Sequence, residues 1–116
     1  MIAVIFEVEP LKGKEDRYFE IAAGLREQLS AMDGFLSVER FQSLTRPGIF
    51  LSMSYWRDEA SVQGWRSYAE HRAGQMEGRD SVFADYRIRV AQVVRDYTQT
   101  RRDQAPQDSN AALLAP

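Results

Sequence analysis

Thr45-Arg46-Pro47-Gly48 is a compact turn sequence set between two runs rich in aromatic and branched residues, Phe35 to Leu44 and Ile49 to Trp56. Proline presets one backbone angle of such a turn and glycine supplies the positive φ, so the two flanking runs are expected to pair antiparallel as a hairpin. This restricts the middle of the chain more than any other feature. Upstream, Ile2, Val4, Phe6 and Val8 alternate with Ala3, Ile5 and Glu7, which predicts a strand over Ile2 to Val8. Pro10 and Gly13 break it. Tyr18, Ala22, Leu25, Leu29 and Met32 then recur at steps of three and four, predicting an amphipathic helix over residues 14–31 that Asp33-Gly34 ends. Downstream of the hairpin, Asp58 is an N-cap candidate for a second helix from about Glu59 to Gln75, carrying Val62, Trp65, Ala69 and Met76 at helical steps. Gly74 and Gly78 make its end irregular, Asp80 to Asp85 reads as a short turn of helix, and Tyr86 to Tyr97 alternates through Ile88, Val90 and Val94 as a fourth strand.

The order strand, helix, strand, strand, helix, strand is the split βαβ arrangement of ferredoxin-like folds, an α+β class in which two helices cover one face of a four-stranded antiparallel sheet. The chain length of 116 residues fits one such domain, over 1–97, with a polar tail over 98–116. That tail is either mobile or docks Ala111 to Leu114 on a neighbouring subunit. Both sides of several strands carry apolar groups, with Ala3 and Ile5, Leu36 and Val38, and Phe50 and Trp56 opposing the other set. A second apolar face needs a cover, and a homodimer through the sheet faces is the expected one.

Fifteen basic residues against seventeen acidic ones leave a net charge of −2, with no basic run able to track a phosphate backbone, so nucleic acid is not an expected partner. The chain has no cysteine, which excludes disulfides, thiolate metal sites and cysteine nucleophiles. With His71 as its single histidine, no metal site of two or three imidazoles can form within one chain. The apolar start, Ile2 to Phe6, is too short for a signal-peptide core or a membrane span, so a cytoplasmic location is expected.

The chemistry-bearing residues gather in Tyr55-Trp56-Arg57-Asp58, Trp65, Tyr68 and Glu70-His71-Arg72, around a strand-to-helix junction. For each tryptophan the plain reading is packing between helix and sheet; the functional one is the wall of an aromatic pocket. His71 falls away from the direction of Val62 and Ala69 on a straight helix, which leaves it as a surface group, a capping group, a general base or an axial ligand to haem iron. Arg40, Arg87 and Arg89 sit at strand positions and either line a wet cavity, pair with carboxylates such as Glu39 and Asp85, or mark solvated edges. No phosphate loop, nucleotide fingerprint, nucleophile elbow or metal box is present.

Gly34-Phe35 with Ser37 and Glu39, then Tyr55-Trp56-Arg57-Asp58-Glu59-Ala60, then Trp65 and Glu70-His71-Arg72, resembles the antibiotic biosynthesis monooxygenase family over about residues 1 to 97. The resemblance implies a dimeric α+β barrel, two ferredoxin-like subunits packing their sheets together. One group in that family looks like cofactor-independent oxygenases, in which an electron-rich phenolic or hydroquinone substrate is deprotonated and reacts with oxygen itself. There Trp56 would form a pocket wall and hydrogen-bond donor, while Ser52 and Val62 stand where an amide and a phenol would be sought. A second group looks like haem-degrading monooxygenases, with Trp65 matching the tryptophan that crowds the porphyrin and His71 as the iron ligand; the asparagine those enzymes use on the first strand has no counterpart here. The site implied is therefore His71 and Trp56 as catalytic residues, with Trp65, Tyr68, Tyr55 and Arg72 binding a small aromatic substrate beside O2. No cofactor or metal is expected in the first reading, and haem on His71 in the second. A third reading, from another class, is a module that binds a small aromatic molecule without turning it over.

Overall fold

In the computed structural model, residues 1–76 and 82–114 are described, the side chains of 69–76 and of residue 114 excepted. The elements run β1 (Ile2–Pro10), α1 (Glu15–Leu29), β2 (Phe35–Gln42), β3 (Phe50–Trp56), α2 (Glu59–Met76), β4 (Phe83–Gln92) and α3 (Gln107–Leu114). The strands form one antiparallel sheet in the order β2-β3-β1-β4. This is the ferredoxin-like order: the hairpin strands β2 and β3 lie side by side, and β1 threads between β3 and β4.

Strand pairing places Ile2, Val4, Phe6 and Val8 on the same face as Trp56, Ser54, Ser52 and Phe50, and α1 and α2 pack on that face. At one end Val8, Tyr18 and Val82 are buried together, with Phe6, Phe19, Ala22 and Phe50 against them. At the other, Leu29, Trp56 and Val62 are buried, with Ile2, Val4, Met32, Phe35, Val38 and Trp65 around them. Val38, Phe50 and Trp56 thus belong to the helix-covered face, a correction to the expectation that they sit opposite it. The register of β2 shifts between Phe35 and Ser37, and this irregularity at Leu36 reverses the parity that strict alternation assigns. The opposite face carries Ala3, Ile5, Leu51, Met53, Tyr55 and Phe41 instead. Phe83 to Asp85 belong to β4 rather than to a turn of helix, residues 80 and 81 lie outside the described residues, and the tail contains α3.

The two loops at the Trp56 end are tied together by Arg57. Its backbone N–H donates to the Gly34 carbonyl (2.8 Å), while its guanidinium grips both Asp33 carboxylate oxygens (2.9 and 3.2 Å) and reaches Asp58. Asp58 is the N-cap of α2: its Oδ1 accepts from the Ser61 backbone N–H (2.9 Å) and hydroxyl (2.7 Å). Those bonds from Ser61, then the Arg57 guanidinium, hold the Asp58 carboxyl down at about 2. Asp33 is lowered too, by its hydrogen bonds with Arg57. Both carboxyls have folded pKa values below those of the unfolded chain. The stability they contribute is therefore complete above about pH 4 and is lost as pH falls toward 2. The expected result is a melting temperature that drops through that window, and drops less in Asp58→Asn; equal acid slopes in the two proteins would remove Asp58 from this role.

Gly34 has φ +82°, and a Cβ there would overlap the Ser61 hydroxyl and stand 2.5 Å from Ser61 Cβ. Gly34→Ala is expected to destabilise by on the order of 3 kcal/mol, combining left-handed strain with displacement of β2 from the start of α2. Urea unfolding checks it, and a shift below about 1 kcal/mol would show that the junction yields freely.

Candidate functional site

The strand-to-helix junction delivers an aromatic stack. Trp56, the last residue of β3, is fully buried, and its indole N–H donates to the hydroxyl of Ser54 (2.9 Å) on the same face of the strand. Trp65, in the second turn of α2, lies 6.3 Å from Trp56, centroid to centroid, with the rings inclined by 25°. Tyr68 follows one helical turn later, 5.7 Å from Trp65. Phe35 closes the other side of Trp56 edge-on at 5.4 Å. Trp56, Trp65 and Tyr68 are therefore brought together, Trp56 as the buried base and the other two as the half-buried outer layers.

Tyr55 is not part of this group. It precedes Trp56 on an extended strand, so it projects from the opposite face, where its hydroxyl donates to Met53 Sδ (2.9 Å). His71 and Arg72 lie in α2 beyond Tyr68, and their side chains fall outside the described residues. Arg40, on the helix-covered face of β2, stacks its guanidinium over Tyr18 and Phe19 at 5.5 Å from each ring rather than pairing with Glu39. Burial pushes the Tyr18 phenol up, against the lowering effect of Arg40. Arg87 and Arg89 project from the opposite face of β4, both exposed.

A second component has no motif to announce it. Tyr86, Ile88 and Val90 occupy the helix-side face of β4, opposite Val8, Phe6 and Val4 of β1. They are 57%, 53% and 50% exposed, although the alternate residues Asp85, Arg87 and Arg89 make the other side of this strand the polar one. An amphipathic strand normally hides its apolar side. Phe6 meets Tyr86 at 5.8 Å and Phe83 at 6.0 Å, extending the shelf toward the Val8 end. On its helix side β4 thus presents an apolar shelf with no charged side chain on it. Among the described residues no cluster of His, Cys, Asp or Glu could hold a metal ion, and no helix is long and apolar enough to cross a membrane.

Comparison with known proteins gives this arrangement its context. The sequence pattern of the antibiotic biosynthesis monooxygenases, ABM, matches residues 1–77. The chain belongs to this family. Within 93 residues it is 50% identical to the jasmonate monooxygenase ABM of Pyricularia oryzae, an alignment covering 80% of this chain and 43% of that protein. The chain thus spans less than half the length of that relative. It is 34% identical over 94 residues to the uncharacterised protein YqjZ of Bacillus subtilis, covering 80% of this chain and 79% of that one. In structure it resembles the haem degrader MhuD of Mycobacterium tuberculosis, with TM-scores of 0.70 and 0.65 in two solved forms at 15% identity, covering 84% of this chain and 99% and 100% of theirs. At that identity the likeness concerns the ABM fold alone.

Proposed function

We propose that this ABM protein is a cofactor-independent monooxygenase acting on a small electron-rich aromatic, a phenol or quinol, laid between the β4 shelf and the Trp65–Tyr68 wall. The observations that carry this are the uncovered apolar shelf of Tyr86, Ile88 and Val90 and, on the same side of the sheet, the Trp65–Tyr68 rings of α2. A flat, low-charge ligand fits such a slot, with its rings stacked and its water excluded.

The chemistry asks little of the protein beyond that. A phenol that has lost its proton can itself reduce dioxygen: one oxygen atom enters the ring, the other leaves as water, and the substrate supplies all four electrons as it becomes a quinone. The site must take the phenolic proton, hold the anion and orient it in a dry slot. His71 is the base in this reading and Arg72 the cation beside the anion. Trp56 acts as a positioning residue, fixing the plane of Trp65 from beneath. The pairing of two copies through the opposite sheet face, with Ala3, Ile5 and Leu51 between them, belongs to the same reading. The apolar side chains that β1 and β3 turn to that face support it.

The aliphatic half of the floor, Ile88 and Val90, together with the 50% identity to a jasmonate monooxygenase, favours a second substrate class: an apolar cyclic ketone acid of the jasmonate kind. Ile88→Glu separates the slot from the fold in either case. Because Ile88 is 53% exposed, its melting temperature is expected to stay within a few degrees, while KM for an accepted substrate rises at least about tenfold. An unchanged KM would move the substrate off β4.

A haemin titration followed at the Soret band, run beside His71→Ala, tests the absence of cofactor. The reading expects no saturable shift. A one-to-one shift lost in the variant would make His71 an iron ligand and replace the cofactor-free reading with haem chemistry.

A further inference from the structure

Val93 N–H still donates to the Met1 carbonyl (2.9 Å), but from Asp96 on the chain forms an element held by its own hydrogen bonds. Arg102 organises it: the guanidinium donates to Asn110 Oδ1 (3.0 Å), Ser109 Oγ (2.6 Å) and the Thr98 carbonyl (3.1 Å), and lies 5.0 Å from the centre of the Tyr97 ring. Asp96 N–H donates to Gln104 Oε1 (2.9 Å), and Thr98 and Arg101 close a turn on each other. Among the described residues, every hydrogen bond, ion pair and ring contact of 96–114 has its partner within 96–110. None of the described side chains among them is buried. An eight-residue helix such as α3 is well below the length of about 12–15 residues at which isolated helices become even marginal. Yet Val94, Tyr97 and Leu113 stand 77%, 41% and 59% exposed.

The whole chain bears the same mark. Its radius of gyration is 17.4 Å and its long axis 61 Å, against a radius of about 13 Å for a compact domain of this length. Its surface is 8530 Å², against about 6,500 Å² for a folded monomer of this mass. The excess of about 2,000 Å² on one chain is more than the roughly 800 Å² per partner that a standard stable interface buries. Mostly on the sheet face opposite the helices, a groove of about 210 Å³ is lined by Ser37, Val38, Glu39, Phe41, Met53 and Tyr55.

We propose that residues 94–114 are an exchange arm, whose α3 seats Leu113 in the Phe41–Met53–Tyr55 groove of a second copy of this chain. The occupant is a second copy because the groove lies on the face the pairing proposed above would join, and because the arm departs from its own sheet instead of folding back onto it. The inference rests on that pairing.

Because the chain has no cysteine, disulfide trapping is clean. Ala112→Cys and Glu39→Cys proteins, mixed and oxidised, are expected to give a mixed disulfide several-fold above that from Ala112→Cys mixed with Glu27→Cys on the exposed side of α1. A yield equal to the control, or an internal disulfide as the sole product of the doubly substituted chain, overturns the arm. Sedimentation equilibrium on full-length Leu113→Asp is expected to show dimer dissociation strengthened at least tenfold. A dimer as tight as wild type overturns the arm and leaves the pairing standing. A wild-type chain that is monomeric at tens of micromolar overturns both.

Discussion

Replacing Trp56 by alanine is expected to lower the unfolding free energy by about 3–5 kcal/mol, the cost of emptying a fully enclosed indole site. Three elements would lose their common contact, since Phe35 of β2, Trp65 of α2 and the Leu29–Val62 cluster all close on this ring. At this chain length the loss corresponds to about 10–20 °C in melting temperature. Trp56→Phe keeps most of the volume but leaves the buried Ser54 hydroxyl without its donor, so a smaller loss of about 1–3 kcal/mol is expected. Urea unfolding of both variants decides it. A loss under about 1 kcal/mol for the alanine variant would mean that the ring is not the hub of this end of the core.

His71→Ala is expected to leave stability nearly unchanged and to lower kcat on an accepted phenol by about 10²–10⁴-fold, the usual worth of a positioned general base. The pH profile distinguishes a base from a residue that merely supports its helix. Wild-type turnover should show an acid limb on which the base is lost to its proton, and the variant should lack that limb. Equal turnover, or the same acid limb in both proteins, would take His71 out of the chemistry.

Much of the architecture was legible in the sequence because each element agrees with its own punctuation. Gly34 and Gly48 hold the positive φ that their turns require, Asp58 caps α2, and the alternation of β1 survives pairing on both edges. Facing was harder to read. The irregularity at Leu36 is a tertiary adjustment, invisible to period-two counting, and it carried Val38 to the helix side along with Phe50 and Trp56.

The site divided along the same line. Trp65 and Tyr68 share a helical face by their spacing, and Trp56 lies at the strand end beneath them, so their stack follows from local periodicity. Tyr55 adjoins Trp56 in sequence, but neighbouring strand residues face opposite ways. The β4 shelf was missed for a different reason. Tyr86, Ile88 and Val90 read as ordinary core until it is known how far α2 reaches across the sheet. Exposed Leu113 and the Arg102 network likewise acquire meaning only once the tail is seen to leave the domain.

Oxygen uptake by protein freed of metal and haem, with a panel of mono- to tricyclic phenols and quinols, tests the central claim most directly. The account predicts saturable uptake with one O2 consumed per quinone formed, unaffected by chelator, and reduced by Ile88→Glu through KM and by His71→Ala through kcat. Uptake no faster than the buffer control across the panel, or uptake appearing only when haemin is added, would contradict it.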